Sequence, residues 1–314
     1  MTGSGHVVFT VFTPTYNRAH TLHRVYESLC IQTLRTFEWL IVDDGSTDGT
    51  EKLVKEWMSE GRLDIRYIKQ ANQGKHIAFN TGVANARGEL LLAADDDDRF
   101  KPKALERFLC HWRAIPEEEQ NAFAGATCLC ETERGELVGT RFPRDVVDSD
   151  SAEIHFRYKV KGEKWGFQRT AVLKEFPFPI GDKKKGYTTT PENVVWLRIA
   201  SRYKTRYFNE CLRIYHIHDE GETATRTPCD PSLLALGILD SQGLVLNLHW
   251  KYFKVAPLVF IGCALRYGRF AMHGGVGMQK ALAALEKMGA RGLVFLLWPV
   301  AFLVFLRDRR LGKI

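Results

Sequence analysis

The sequence predicts an α/β fold: a mostly parallel central sheet flanked by helices, followed by a helical C-terminal extension. Three observations lead there. Short β-branched and aromatic runs alternate with helix-length amphipathic stretches through about the first 110 residues, and parallel strands need such crossovers. Polar clusters stand directly after three of those runs, at the strand ends where open α/β sheets gather ligands. Beyond Gly221 the composition turns helical and apolar.

The elements follow in order. Val7 to Thr13 reads as a first buried strand, ended by Pro14. His20 to Gln32 reads as a helix with Leu22, Val25 and Leu29 on one side. Phe37 to Val42 is a second strand running into Asp43-Asp44-Gly45-Ser46, and Ser46 or Thr47 can cap the helix that carries Leu53, Val54 and Trp57. Ile65 to Ile68 is a third strand. Gly74 to Ala86 is helical despite Gly82, and Leu90 to Ala93 is a fourth strand running into four aspartates. Ala122 to Cys130 reads as another strand, Arg134-Gly135 as a turn, and Gly162 to Val172 brings Trp165 to a strand edge. Phe176 to Pro191 is loop-like, and a helix with Val195, Trp196 and Ile199 opens at Pro191-Glu192.

With 314 residues and 45% apolar composition the chain can bury a sizeable core, which excludes global disorder. The formal charge of +7 suits an ordinary basic surface or phosphate-bearing partners, and charge alone does not separate them. Seven scattered cysteines complete no zinc set and suggest reduced thiols in a cytoplasmic compartment. No positive segment leads into an apolar one at the start, so no secretory signal is expected.

Asp95-Asp96-Asp97-Asp98 is the sharpest chemical feature. Adjacent carboxylates at a buried strand end repel one another unless a cation neutralises them, and oxygen donors suit magnesium or manganese. On an extended segment alternate residues face one way, which lets Asp95 and Asp97 share one site. The competing reading is a solvated run before a helix starting near Pro102.

These features together resemble family 2 of the inverting glycosyltransferases, with the nucleotide-sugar-binding fold called GT-A. Phe12-Thr13-Pro14-Thr15-Tyr16-Asn17-Arg18 is similar to its opening strand and turn. Ser28 to Thr33 and then Phe37 to Thr50 are similar to its most recognisable block. Asn72-Gln73-Gly74-Lys75 with Asn80-Thr81-Gly82 is similar to the third, and Asp95 to Asp98 with Pro102 to the metal-binding DxD segment. The ordered set covers about the first 110 residues, with looser likeness to about residue 218.

The resemblance implies a metal-dependent enzyme of the bacterial surface-glycan type. It would move a sugar from a nucleoside diphosphate, UDP first, to a hydroxyl of a glycan or lipid-linked acceptor, with Mn2+ or Mg2+ as cofactor. It implies that 1–110 is the nucleotide-sugar-binding half, 111–225 the acceptor and catalytic half, and 226–314 a helical apolar and basic tail. Asp44 would accept from the base and Asp43 cap the following loop. Pro14, Thr15 and Tyr16 would line the base and ribose pocket, with Tyr16 stacking or simply packing in the core. Arg18 would meet phosphate or form an ion pair at the mouth. Lys75 would meet the diphosphate or a donor-side carboxylate, and Asn80 would order backbone. Asp97 is the implied metal ligand. Asp95 would touch the ribose or the metal through water, with Asp96 beside it. Of His216 and His218, His218 is preferred near the metal. Trp165 would floor a sugar or serve as packing. Glu192 is the implied general base, with an N-terminal helix-dipole role as its alternative and Asp182 in reserve. Many relatives carry two acids where this chain has Glu192-Asn193.

Leu293 to Leu306 is wholly apolar, with Arg291 before it and Arg307, Arg309 and Arg310 after it. At 14 residues, with Pro299 breaking its middle, it falls short of the roughly 20 residues of a spanning helix. A capping helix, an interfacial or re-entrant anchor in 286–314 and a true span all stay open. Lys183-Lys184-Lys185 is either a solvated loop or a patch for phosphate or anionic headgroups. An anchor would place the protein at the inner face of the cell membrane.

A catalytically silent nucleotide-sugar-binding or membrane-surface assembly protein is the rival reading. Nucleic-acid binding is disfavoured because the basic residues are diffuse. A dinucleotide-binding dehydrogenase is excluded because Pro14-Thr15-Tyr16-Asn17 lacks the glycines of that turn.

Overall fold

The computed structural model describes residues 7–180, 193–216 and 231–312. The chain runs β1 (Phe9–Thr15), α1 (His23–Cys30), β2 (Phe37–Asp43), α2 (Thr50–Glu60), β3 (Ile65–Lys69), α3 (Lys75–Asn85), β4 (Leu90–Ala93), β5 (Arg99–Phe100) and α4 (Ala104–Arg113). Then come β6 (Phe123–Thr132), β7 (Val146–Ser149), α5 (Ser151–Phe156), β8 (Lys164–Arg169), α6 (Thr170–Glu175), α7 (Asn193–Arg202) and β9 (Lys204–Tyr215). Helices α8 (Pro231–Leu248), α9 (Pro257–His273), α10 (Met278–Ala283) and α11 (Met288–Arg310) end it.

Two compact units form. The first comprises Met1–Ser149, Val160–Phe178 and Tyr203–Thr223; the second comprises Asp150–Lys159, Pro179–Arg202 and Ala224–Ile314.

In the first unit the strands form one sheet in the order β3-β2-β1-β4-β8-β6-β9-β5, with β7 beside β9. The first four strands are parallel, as their helical crossovers require. Over the whole sheet the expectation of a mostly parallel arrangement is corrected. β8 runs antiparallel to both β4 and β6, β9 is parallel to β6, and β5 and β7 are antiparallel to β9.

Pro14 does not end β1 but lies inside it, opposite Val42. The Phe12 carbonyl accepts from Ala94 on the β4 side, and Pro14 has the same parity. β4 has ended at that level, so the missing N–H leaves no partner unpaired. Gly82 on α3 is required by packing, because a Cβ there would lie 2.2 Å from the Phe12 ring.

The core of this unit is aromatic. Phe108 meets Phe167 and Phe208 edge-on at 5.5 and 5.6 Å, and Tyr26 stacks on Trp57 at 4.4 Å. Charge also lies inside. Glu38, fully buried on β2, accepts from the Thr10 hydroxyl at 2.7 Å, Arg66 Nη1 at 2.9 Å and the Arg87 N–H at 2.8 Å. Three donors replace the water it lost.

The second unit packs α8, α9 and α11 around Phe156, Leu246, Phe260, Tyr267 and Leu285. Asp150 caps α5 through the Glu153 N–H at 2.8 Å and accepts from the Tyr252 hydroxyl at 2.7 Å. Gly268 lets α11 approach α9, since a Cβ there would lie 3.1 Å from that of Ala301. At the far end Asp308, buried, accepts from Arg269 and from His273 Nε2. Pro299 does not break α11, which is continuous from Met288 to Arg310. Pro299 removes one helical donor, and side chains on both sides of it, Val294 and Ala301, are buried.

Candidate active site

β1, β2 and β3 are laid down in one direction, and β4 returns to the other side of β1. That reversal is a topological switch point, and ligands of open α/β sheets bind beyond the carboxyl ends there. Three turns follow those ends: Tyr16 to Arg18, Asp44 to Asp48, and Asp95 to Asp98.

The first two turns are knitted together. Asn17, at φ 55°, accepts the Thr47 N–H at 2.8 Å and donates its own N–H to the Ser46 hydroxyl at 2.9 Å. Asp48 accepts from the Ala19 N–H at 3.1 Å and the Thr50 N–H at 3.0 Å. It therefore serves the start of α2 in place of the expected Ser46 or Thr47. Gly45 takes φ 86°, with a would-be Cβ 2.9 Å from the Asn72 nitrogen, so the turn admits only glycine comfortably.

Asp43 and Asp44 divide their work. Asp43 accepts from the Ser46 N–H at 2.7 Å and from the Tyr67 hydroxyl, a loop-capping role. Asp44 accepts from Gln70 Nε2 at 2.7 Å, the Gln73 N–H at 2.9 Å and the Gly74 N–H at 2.7 Å. It thus holds the loop that delivers Lys75 to the start of α3. A carboxylate has about four lone-pair positions, so three donors leave one for a ligand. Gln70 was not singled out in the sequence, because a lone amide side chain carries no pattern, and Gln73 was read only as part of the block Asn72 to Lys75.

The four aspartates are not extended, which corrects the alternation argument for Asp95 and Asp97. They form a turn closed by Asp98 N–H to the Asp95 carbonyl at 3.1 Å. Asp98 points inward, accepting from Arg213 and from the Asp95 N–H at 3.0 Å. Desolvation raises its pKa and the Arg213 guanidinium opposes that. Asp95 meets Lys75 Nζ at 2.8 Å, an ion pair half open to solvent on both sides and so readily exchanged for another anion. Asp96 lies 3.9 Å from Arg18 Nε. Burial pushes its carboxyl up to about 7, with Thr15 and Arg18 pulling it down and Asp97 and Asp95 pushing it further up. Asp97 is half-buried in the middle of the turn.

Three buried polar atoms at this rim have no hydrogen-bond partner among the described residues: Thr15 Oγ1, His76 Nε2 and His216 Nε2. Each adjoins one of the acids electrostatically. The Thr15 hydroxyl acts on Asp96 without an aligned hydrogen bond, Asp44 acts on His76, and Asp97 acts on His216. Burial lowers the pKa of both imidazoles, which favours neutral rings with a lone pair or N–H to offer. His216 Nδ1 is held by Glu133 at 3.1 Å. His76 was overlooked in the sequence, although it directly follows Lys75.

Among the described residues no three His, Cys, Asp or Glu side chains converge as a metal cage. The donor chemistry still fits a hard cation. Magnesium-type sites take one or two carboxylates and complete themselves with substrate phosphates and water, and the desolvated Asp96 and the unpartnered rim atoms are groups that a bound ligand would satisfy.

Trp165 is corrected from a sugar floor to packing. It is 4% exposed, stacked on Phe100 at 4.5 Å, with its indole N–H donated to the Ala93 carbonyl at 2.8 Å. It supports the strand end that carries the aspartates. Tyr16 is 42% exposed, so it is no core tyrosine. Glu192, Asp182, His218 and Lys183 to Lys185 lie outside the described residues.

The profile of Glycosyl transferase family 2 matches residues 10–118. An uncharacterized glycosyltransferase of Rickettsia felis is 39% identical over 247 residues, 76% of this chain and 37% of that protein. Residues 10–118 form a glycosyl transferase family 2 domain. The chain spans about a third of the length of the first curated relatives it matches. Solved structures share the fold of this chain. Staphylococcus aureus TarS 1-349 in complex with UDP-GlcNAc superposes with a TM-score of 0.58 at 18% identity, covering 98% of this chain and 92% of that one. Mannosyltransferase PcManGT from Pyrobaculum calidifontis, in complex with GDP-Man and Mn2+, does so with 0.52 at 19%, covering 97% and 82%.

Proposed function

We propose that this chain transfers a sugar from a nucleoside diphosphate, UDP first, to a hydroxyl of a glycan or lipid-linked acceptor, with inversion at the anomeric carbon. The observation that carries the reading is the rim itself. A carboxylate with one lone pair left, Asp44, and an acidic turn, Asp95 to Asp98, stand at strand ends on either side of β1.

Each residue has a role in this reading. Asp44 accepts the ring N–H of the base, which uracil has and cytosine lacks. Tyr16 offers a face to the base, with Pro14 and Thr15 preceding it in the chain. Lys75 leaves Asp95 for the diphosphate, and Arg18 stands beside Asp96 for the same charge. Asp97, with Asp95 or His216 in support, would hold Mn2+ or Mg2+. A bound divalent ion would neutralise charge appearing on the leaving nucleotide. Trp165 carries no donor contact here. Glu192 is the proposed general base for the acceptor hydroxyl, with Asp182 in reserve, and His218 is the other imidazole candidate for the metal. The second position of the acid pair, Asn193, exchanges hydrogen bonds with Ser241 at 3.0 and 3.2 Å, so its amide is occupied within the second unit.

That substitution also sustains the second reading, a nucleotide-sugar-binding protein without turnover. Glu192→Gln separates the two. The enzyme reading expects donor binding to persist and sugar transfer to fall by roughly a hundredfold or more. If wild type and variant show the same absence of turnover with donor bound, the silent reading holds. We place the protein at the cytoplasmic membrane face on the strength of the apolar, basic tail.

A further inference from the structure

We infer that the outer face of α11 lies flat on an anionic lipid surface, rather than crossing the bilayer. This deepens the membrane-side part of the proposed function and does not depend on the donor chemistry.

The helix has two unlike faces. Its inner face belongs to the protein: Ala290, Val294 and Ala301 are buried, and Asp308 is tied to Arg269 and His273 of α9. Its outer face is apolar and bare. Leu296 is 73% and Leu303 64% exposed, and Phe295, Val300 and Phe302 are exposed beside them. Leu258, on the first turn of α9, is 80% exposed. A contiguous run of large apolar side chains open to solvent marks a binding face.

Charge and length select the occupant. Lys287 and Arg291 precede the run and Arg307, Arg309 and Arg310 follow it, all exposed. Cations at both ends of an apolar face match an anionic headgroup layer, where long basic side chains reach the phosphates while apolar ones enter the acyl boundary. The whole of α11, 23 residues, is long and apolar enough to cross a membrane, but its uncharged part, residues 292 to 306, rises only about 22 Å, short of the hydrocarbon thickness of about 30 Å. A spanning helix would also have to carry its neighbour α9 into lipid, and α9 holds Arg266 and Arg269 in hydrogen bonds to Gln242 and Asp308. An in-plane helix leaves those groups on the protein side.

The test is flotation of the full chain with vesicles of phosphatidylcholine alone or mixed equally with phosphatidylglycerol. The expected result is binding to the anionic vesicles and release by alkaline carbonate. Leu296→Glu with Leu303→Glu should weaken binding at least roughly tenfold, with an unchanged thermal melt because both side chains are exposed. Arg307→Glu with Arg310→Glu, which leaves the apolar face intact, should remove the preference for anionic lipid. Equal binding to both vesicle types with resistance to carbonate would mean a span and overturn the inference. So would unaltered binding of the leucine variant, or a wild-type dimer by light scattering that the leucine variant breaks. Nucleotide release from a soluble donor, measured without vesicles, keeps failure of this inference apart from failure of the catalytic reading.

Discussion

At the residue scale the account rests on carboxylates with separate duties. The family resemblance implied separate duties for Asp43 and Asp44, and the structure has Asp43 capping the following loop through the Ser46 N–H. The roles within Asp95 to Asp98 were not legible in the sequence, because the argument assumed an extended segment and the chain turns there. The two readings of Trp165 stayed open for a related reason: a tryptophan at a strand edge reads alike whether it faces a ligand or a helix. Asp97→Ala is expected to lower metal-dependent transfer by about 10² to 10³ in kcat, with thermal stability unchanged or raised, since one carboxylate leaves a repelling set. Asp44→Ala removes the acceptor of three loop donors. It should raise the donor KM by about tenfold to a hundredfold, checked by titrating the nucleotide against intrinsic fluorescence.

At the element scale the parallel strands β1 to β4 could be read from alternation and crossover length, and the antiparallel half could not. Its pairing depends on long-range neighbours such as Gly125 against the Phe167 backbone, which leave no local period. Pro14 inside β1 shows the same limit, since the end of the neighbouring β4 is what tolerates it. Gly82→Ala forces a methyl into the Phe12 ring and should cost about 1–3 kcal/mol in chemical denaturation. Glu38→Ala leaves Arg66, Thr10 and the Arg87 N–H without their acceptor, and should cost about 3–5 kcal/mol. A third element-scale test uses pH. Arg107 grips Glu210 at 2.6 and 2.8 Å and His111 adds a contact at 2.7 Å, joining α4 to β9. The Arg107 hydrogen bond leads in holding the Glu210 carboxyl below its usual value, against desolvation. A depressed folded-state pKa gives stability that is complete above the unfolded value of about 4.3 and lost as pH falls below it. Glu210→Gln should therefore lower the melting temperature at neutral pH and flatten its decline below about pH 4.3.

At the scale of the whole molecule, the N-terminal unit carries the family 2 match and the acidic rim, while the second unit carries the apolar helix with its basic ends. The sequence revealed both as chemistry. It did not reveal that Asp150–Lys159 and α7 join the tail in one compact unit, because short inserted segments carry no compositional boundary. The central claim is that the rim between β2 and β4 binds a nucleoside-diphosphate sugar through a divalent ion. The measurement that tests it most directly is nucleotide released from a panel of UDP-, GDP- and dTDP-sugars by the purified chain, with Mn2+ or with EDTA, alongside Asp97→Ala. The account predicts slow release from one donor, abolished by EDTA and by the substitution. A folded protein that binds no nucleotide in the presence of Mn2+, or that releases it equally in EDTA and in Asp97→Ala, would contradict it.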